Sequence, residues 1–297
     1  VIRTKGERIF VVFSGIAMGI FTLLAFLPFV LILVASFTDE SALIRNGYSF
    51  FPEKFSLDAY VYMMSSASTF IRAYGVSFLV TTIGTGMGLL ITSMLAYPMS
   101  RKDFKYRNLL AFVVFFTMLF SGGIVPSYIL WTKYFHIKDT FAALIIPNLL
   151  TNGFYVLLIR NFYSNNIPVD LIESAQMDGA SELRIFYRMM LPLSVPVLAT
   201  VGLFMGLAYW NDWINALYFI TKPQYYGIQN MLIRLMNNIQ FLKSSQASTL
   251  LGANAVELPS TAVRMAMAII GILPIILVFP FLQKYLTKGI IVGAVKG

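Results

Sequence analysis

Asp170-Leu171-Ile172-Glu173-Ser174-Ala175-Gln176-Met177-Asp178-Gly179-Ala180-Ser181-Glu182 lies within a polar stretch, Arg160 to Met190, that separates two long apolar runs. Asp170 stands where a helix N-cap is expected, and Glu173, three residues on, can return the bond in an acidic variant of the capping box. A helix over 171–178 puts Leu171, Ile172 and Ala175 on one face, with the small Ser174 permitting close approach by a neighbour. Gly179 then supplies the left-handed residue that ends such a helix. A second helix is predicted from Glu182, carrying Leu183, Phe186 and Met190 and stopping before Pro192. The pattern is helix–turn–helix with a protruding corner.

Outside this stretch the chain is apolar. Of 297 residues, 58% are hydrophobic and 12% charged, about half the charge of an ordinary soluble domain. Runs at 12–37, 74–98, 108–131, 140–159, 191–221 and 265–283 are each long enough to cross a ~30 Å hydrocarbon layer at 1.5 Å per residue. They predict an all-α integral membrane protein with six transmembrane helices in a single transmembrane domain over 1–297. A globular enzyme with a water-soluble core is excluded. The first run is too long for a signal-peptide core and lacks a clean small-x-small site, so it reads as a retained helix.

The chain has no cysteine, which excludes disulfides, thiolate metal sites and cysteine nucleophiles, and a single histidine, His136, which excludes a multi-histidine metal centre. Its net charge of +9 does not point to nucleic acid, because the basic residues cluster in short loops beside apolar runs. The flanks 1–11, 99–107, 160–190 and 284–297 hold 13 Lys and Arg in 65 residues, against 9 in 87 for the other flanks. The positive-inside rule then puts both termini and the acidic corner in the cytoplasm. The loop Arg101 to Arg107 is the strongest anchor. Two long segments, before the second and sixth runs, fall outside.

Several runs are interrupted: Pro28, Gly122-Gly123 with Pro126, Pro147, Pro192 with Pro196, and Pro274 with Pro280. In lipid a broken helix must find partners for freed backbone groups in neighbouring helices or a wet cavity, so the breaks favour a bundle around a cavity. Gly84 and Gly88 form a GxxxG pair suited to close helix packing. Asp212 is the only acidic or basic residue within the six runs, and such residues usually face a cavity. With Trp210, Asn211 and Trp213 it offers the polar groups and flat apolar surfaces that a sugar uses. The same four residues also fit an outer-interface aromatic belt, and both readings stand. Asn148, Thr151 and Asn152, at spacings of three and four in the fourth run, fall on one helical face, where they bridge helices or line a pore. Tyr128 and Trp131, ending the third run, read as belt residues.

The acidic corner has two readings of its own: an amphipathic loop on the bilayer, or a docking element for a soluble partner. Asp170, Glu173, Asp178 and Glu182 disfavour anionic lipid. The run Glu173 to Ala180, followed by Leu191-Pro192-Leu193, resembles the EAA loop of permease subunits in binding-protein-dependent ABC importers, with Ser174 as a small-for-small departure. The tail Lys288 to Gly297 and Trp210-Asn211-Asp212-Trp213 resemble the carbohydrate-uptake, maltose-type branch. What the resemblance implies is a type I ABC importer permease in the bacterial cytoplasmic (inner) membrane. Glu173, Ser174, Ala175, Asp178 and Gly179 would couple to an ATPase, and Lys296 and Gly297 would reach the ATPase pair. Trp210, Asn211, Asp212, Trp213, Asn148 and Asn152 are the candidates for the substrate path, and the external segment 222–264 would meet a solute-binding protein or pack on the companion permease.

The implied partners are a second homologous permease subunit, two ATP-binding subunits, an extracytoplasmic solute-binding protein, an oligosaccharide (uronate polymers such as alginate among them) and membrane lipid. The chain has no phosphate-binding G-x-x-x-x-G-K-[ST] loop, so ATP and magnesium belong to the partner ATPases, with no cofactor expected here and no covalent chemistry. The alternative is an ion-coupled secondary transporter or channel, which needs more intramembrane carboxylates than Asp212 provides.

Overall fold

A computed structural model describes residues 5–65, 67–149, 152–242 and 260–294. Among them the chain is helical, with one isolated bridge pairing Thr38 and Phe55. In order the helices are α1 (Lys5–Ser36), α2 (Glu40–Asn46), α3 (Asp58–Met64), α4 (Ala67–Ser100), α5 (Arg107–Leu119), α6 (Ile124–Ile129), α7 (Phe141–Leu149), α8 (Gly153–Asn166), α9 (Val169–Met177), α10 (Glu182–Ile185), α11 (Leu191–Leu193), α12 (Val195–Trp210), α13 (Ile214–Phe219), α14 (Ile228–Leu242) and α15 (Ser260–Ala294). Wide π turns, Leu130–Tyr134 and Phe186–Met190, continue α6 and α10.

The chain divides into two compact units, residues 1–68 with 234–274 and residues 69–233 with 275–297. In the first, Phe37 stacks on Tyr60 at 4.9 Å between ring centroids, and Ser36 Oγ lies 2.8 Å from the Tyr60 hydroxyl. The Glu40 carboxylate accepts from the amides of Thr261 and Ala262 at 2.9 and 2.8 Å. These belong to the first turn of α15, where backbone donors have no helical acceptor and the helix dipole favours a negative charge.

The second unit carries the core that positions the site. Tyr97, Met99, Val156, Ile159, Ile185, Phe186, Met190 and Val201 form one buried cluster, and Val76, Trp131, Leu144, Tyr209 and Phe219 belong to another. The GxxxG pair sits at a close helix contact: a Cβ on Gly84 would lie 2.6 Å from the Tyr209 ring, and Gly88 is buried. Gly202 on α12 approaches Leu89 of α4 in the same way. On a loop, Asp139 at φ +58 ties α13's end: its carboxylate accepts from Thr221 Oγ1 at 2.6 Å and from the Lys222 amide at 3.0 Å. The Thr221 bond, helped by the two amides, holds its carboxyl below the usual range.

Among the described residues, Ile9–Ser36, Ala67–Ser100 and Thr261–Phe281 are long and apolar enough to cross a membrane, and two bent pairs raise the number to five if each pair counts once. The third apolar run is bent by 112° between α5 and α6. Gly123 at φ +79 makes that corner, and Pro126 in the next turn lacks an amide to extend a straight ladder. The fourth run is divided between α7 and α8, so Asn148 and Asn152 do not share one helical face as expected. Asn152 caps α8, its side chain accepting from the Phe154 amide at 3.0 Å, a role to which asparagine is suited. Thr151 lies outside the described residues. Tyr128 is half-buried and stacks on Phe219 at 5.8 Å, while Trp131, expected in a belt, is buried and packs on Phe135 at 4.9 Å. His136 is exposed, at φ +52.

Candidate functional site

The acidic corner forms as a helix–turn–helix, with its start displaced from the sequence expectation. Pro168 (φ −61°, ψ 137°) occupies the N-cap place, and α9 begins at Val169. The capping box does not form, because a proline already fixed near helical φ lets the helix start two residues early. Asp170 therefore sits inside the first turn, where its charge complements the helix dipole, and Glu173 is exposed. The Ser174 hydroxyl donates to the Asp170 carbonyl at 2.7 Å.

The turn forms as expected. Gly179 adopts φ +77, its amide donates to Gln176 O at 3.0 Å, and the Ala180 amide donates to Ala175 O at 3.0 Å. This bond pair is a Schellman motif, which needs a left-handed residue at the glycine position. Ala175 and Ala180 pack on the core cluster, while Ile172, Ile185 and Phe186 are buried within it. Leu171 is exposed, so the predicted Leu171–Ile172–Ala175 face is only partly interior. Met177, 88% exposed, and Leu183 also stay in the open.

Beyond the turn, Ser181 caps α10 and the chain does not stop before Pro192. It passes through the π turn into α11, which contains that proline. A wide turn relieves the clash between a proline ring and the carbonyl one α-turn earlier. The bend into α12, 81°, comes at Ser194.

A polar cluster fastens this corner to the end of α4. The Glu182 carboxylate accepts from Gln176 Nε2 at 2.7 Å and from the Tyr97 hydroxyl at 2.5 Å, with an Arg101 nitrogen 3.9 Å away. Arg101 also grips Asp103 with two bonds of 2.8 and 2.6 Å. That bond holds the Asp103 carboxyl below its usual range and raises the Arg101 pKa further. Arg160 Nε donates to the Met99 carbonyl at 3.1 Å. Sequence reasoning took Arg101 as a membrane anchor and gave Tyr97 and Gln176 no role. Their four-residue spacing (Tyr97, Arg101) was visible, but the pairing with Glu182 spans 85 residues.

The other candidates are separate from this corner in the sequence. Trp210 ends α12, buried, its ring 6.2 Å from Tyr74. Asn211 is exposed and its side chain donates to Leu207 O at 2.9 Å. Asp212 accepts from the Asn215 amide at 3.1 Å at the start of α13, and Trp213 is partly exposed. Asn148 lies in α7, while Lys296 and Gly297 fall outside the described residues.

A family model described as the binding-protein-dependent transport system inner membrane component matches residues 84–292. The chain belongs to that family. The protein LplC of Bacillus subtilis is 40% identical over 295 residues, covering 99% of this chain and 97% of the relative. The polygalacturonan/rhamnogalacturonan transport system permease protein YtcP of the same species is 35% identical, covering 93% and 94%. Among solved structures, a bacterial ABC transporter involved in the import of the acidic polysaccharide alginate matches with TM-score 0.78 at 26% identity, covering 96% of this chain and 99% of that one. The chain is therefore an all-helical inner-membrane permease of the type I ABC fold, a transport component and not an enzyme. Family membership removes the ground for the ion-coupled alternative.

Proposed function

We propose that this permease subunit forms half of the path by which an oligosaccharide enters the cell, driven by ATP hydrolysis in partner subunits. A solute-binding protein delivers the cargo, a second permease completes the path, and two ATPases with their magnesium-bound nucleotide work it from the cytoplasm. Six spans with both termini inside remain our topology. The observation that carries the coupling role is the corner at Gly179: buried by Ile172 and Ile185 on one side, it leaves Glu173, Asp178 and Met177 exposed. In this reading Glu173 makes a polar contact to an ATPase, while Ser174 and Ala175 keep the helix slim beside it. Lys296 and Gly297 approach the same ATPase pair.

Gly179 allows a direct test. A Cβ there meets nothing within 4 Å, so substitution strains the backbone and obstructs only what lies outside the chain. Asparagine tolerates the left-handed region, so Gly179→Asn should retain the ATPases on purification, whereas Gly179→Arg should lose them at least about tenfold, or 1.4 kcal/mol. Equal retention by both variants overturns the docking role.

For the cargo, two relatives support an acidic polysaccharide fragment: YtcP is named for polygalacturonan and rhamnogalacturonan, and the solved transporter for alginate. Trp210, Asn211, Asp212 and Trp213, with Asn148 and Asn152, remain our candidates for the path. In the reconstituted importer, the binding protein loaded with oligogalacturonate should stimulate ATP hydrolysis, and the protein offered maltotriose should not. Stimulation by maltotriose alone overturns the acidic cargo.

A further inference from the structure

Glu182 touches both the acidic corner and the helix α4. It lies in the first turn of α10, and its two oxygens reach Gln176 near the end of α9 and Tyr97 in α4. Tyr97 works in two directions, its ring packed on Phe186 of the π turn at 5.7 Å and its hydroxyl on Glu182. Apolar contacts such as Tyr97–Phe186 hold surfaces together without fixing their register, whereas a short bond from a hydroxyl to a carboxylate is directional and strong. The Tyr97 side is buried and the Arg101 side chain is 12% exposed, while the Glu182 side chain is 57% exposed, so the bond is held in place from the α4 side. Further along, α4 meets α12 where Gly84 faces Tyr209.

We propose that Glu182 is a positioning residue that locks the corner α9–α10 to the end of α4, so that a push on the corner moves α4 as one rigid body. This rests on the docking reading of the corner and adds how the motion leaves it. Gln176 keeps the carboxylate aimed, and Arg101 holds Tyr97 and Asp103 on the α4 side.

This chain has no cysteine, so Lys102→Cys and Val169→Cys can carry a spin-label pair in the importer assembled with cysteine-free partner subunits, in lipid nanodiscs. With wild-type Glu182 the distance distribution should be narrow and should shift by less than ~2 Å between the nucleotide-free state and the state trapped with Mg-ATP and vanadate, the scale of an ordinary helix adjustment. In Tyr97→Phe, which removes only the hydroxyl, and in Glu182→Ala, it should broaden and shift on trapping, while transport per ATP hydrolysed falls. A larger shift in the unsubstituted pair, or Tyr97→Phe matching it in width and in coupling ratio, overturns the lock. ATPase retention in the Gly179 variants reports on docking separately, so the lock can fail while docking stands.

Discussion

Asp139 shows how one residue can hold two segments of the second unit together: a left-handed backbone aims its carboxylate at Thr221 and Lys222. Its carboxyl is held below the ordinary range, chiefly by the Thr221 bond. A group whose folded pKa is depressed contributes stability above the unfolded carboxylate value, near ~4, and loses it as the pH falls through the folded value. Wild type should therefore melt at a higher temperature than Asp139→Asn at pH 7, with the difference shrinking below about pH 4 as the carboxyl protonates. A pH-independent difference in melting temperature contradicts this. Asp212 separates in a similar way: Asp212→Asn keeps an acceptor for the Asn215 amide and removes the charge. If the charge lines the path, uptake falls with melting temperature unchanged; unaltered uptake removes Asp212 from the path.

At the level of elements, close packing and bends decide what a substitution does. Gly84→Ala drives a methyl into the Tyr209 ring, and overpacking of this kind costs about 1–3 kcal/mol. Thermal unfolding of the assembled importer should show the loss; Gly86→Ala, with open space around it, should not. The glycine side of this contact was legible in the sequence, because small residues four apart carry their own packing signal, whereas its partner Tyr209 was not. The corner was legible for the same reason: Gly179 is a local requirement of a Schellman turn. What sequence reading missed was non-local or competitive. Pro168 outcompeted Asp170 for the start of α9, Asn152 became a cap because the fourth run breaks, and Trp131 was enclosed by elements that no periodicity of its own run reveals. Composition marks a run as apolar but not whether it stays straight, which is why the 112° corner beside Gly123 was seen only as an interruption.

Across the whole molecule, topology is testable with the same cysteine-free background. Lys105→Cys should react with an impermeant maleimide only in inverted membranes, and Gln224→Cys only from the outer side, both being exposed positions. The opposite pattern would invert the arrangement and leave the corner at Gly179 facing away from any nucleotide. The long helices differ in what surrounds them. In α1, none of the most apolar window is buried within the chain, against 28% in α4. At 1.5 Å per residue the 28-residue stretch Ile9–Ser36 is about 42 Å long, longer than a ~30 Å hydrocarbon layer. Such an excess is relieved by leaning, by kinking or by local thickening of the bilayer, each at modest cost. Acyl-chain length thus becomes a control variable for this subunit: stretching the lipids by a few carbons should relieve the mismatch at α1.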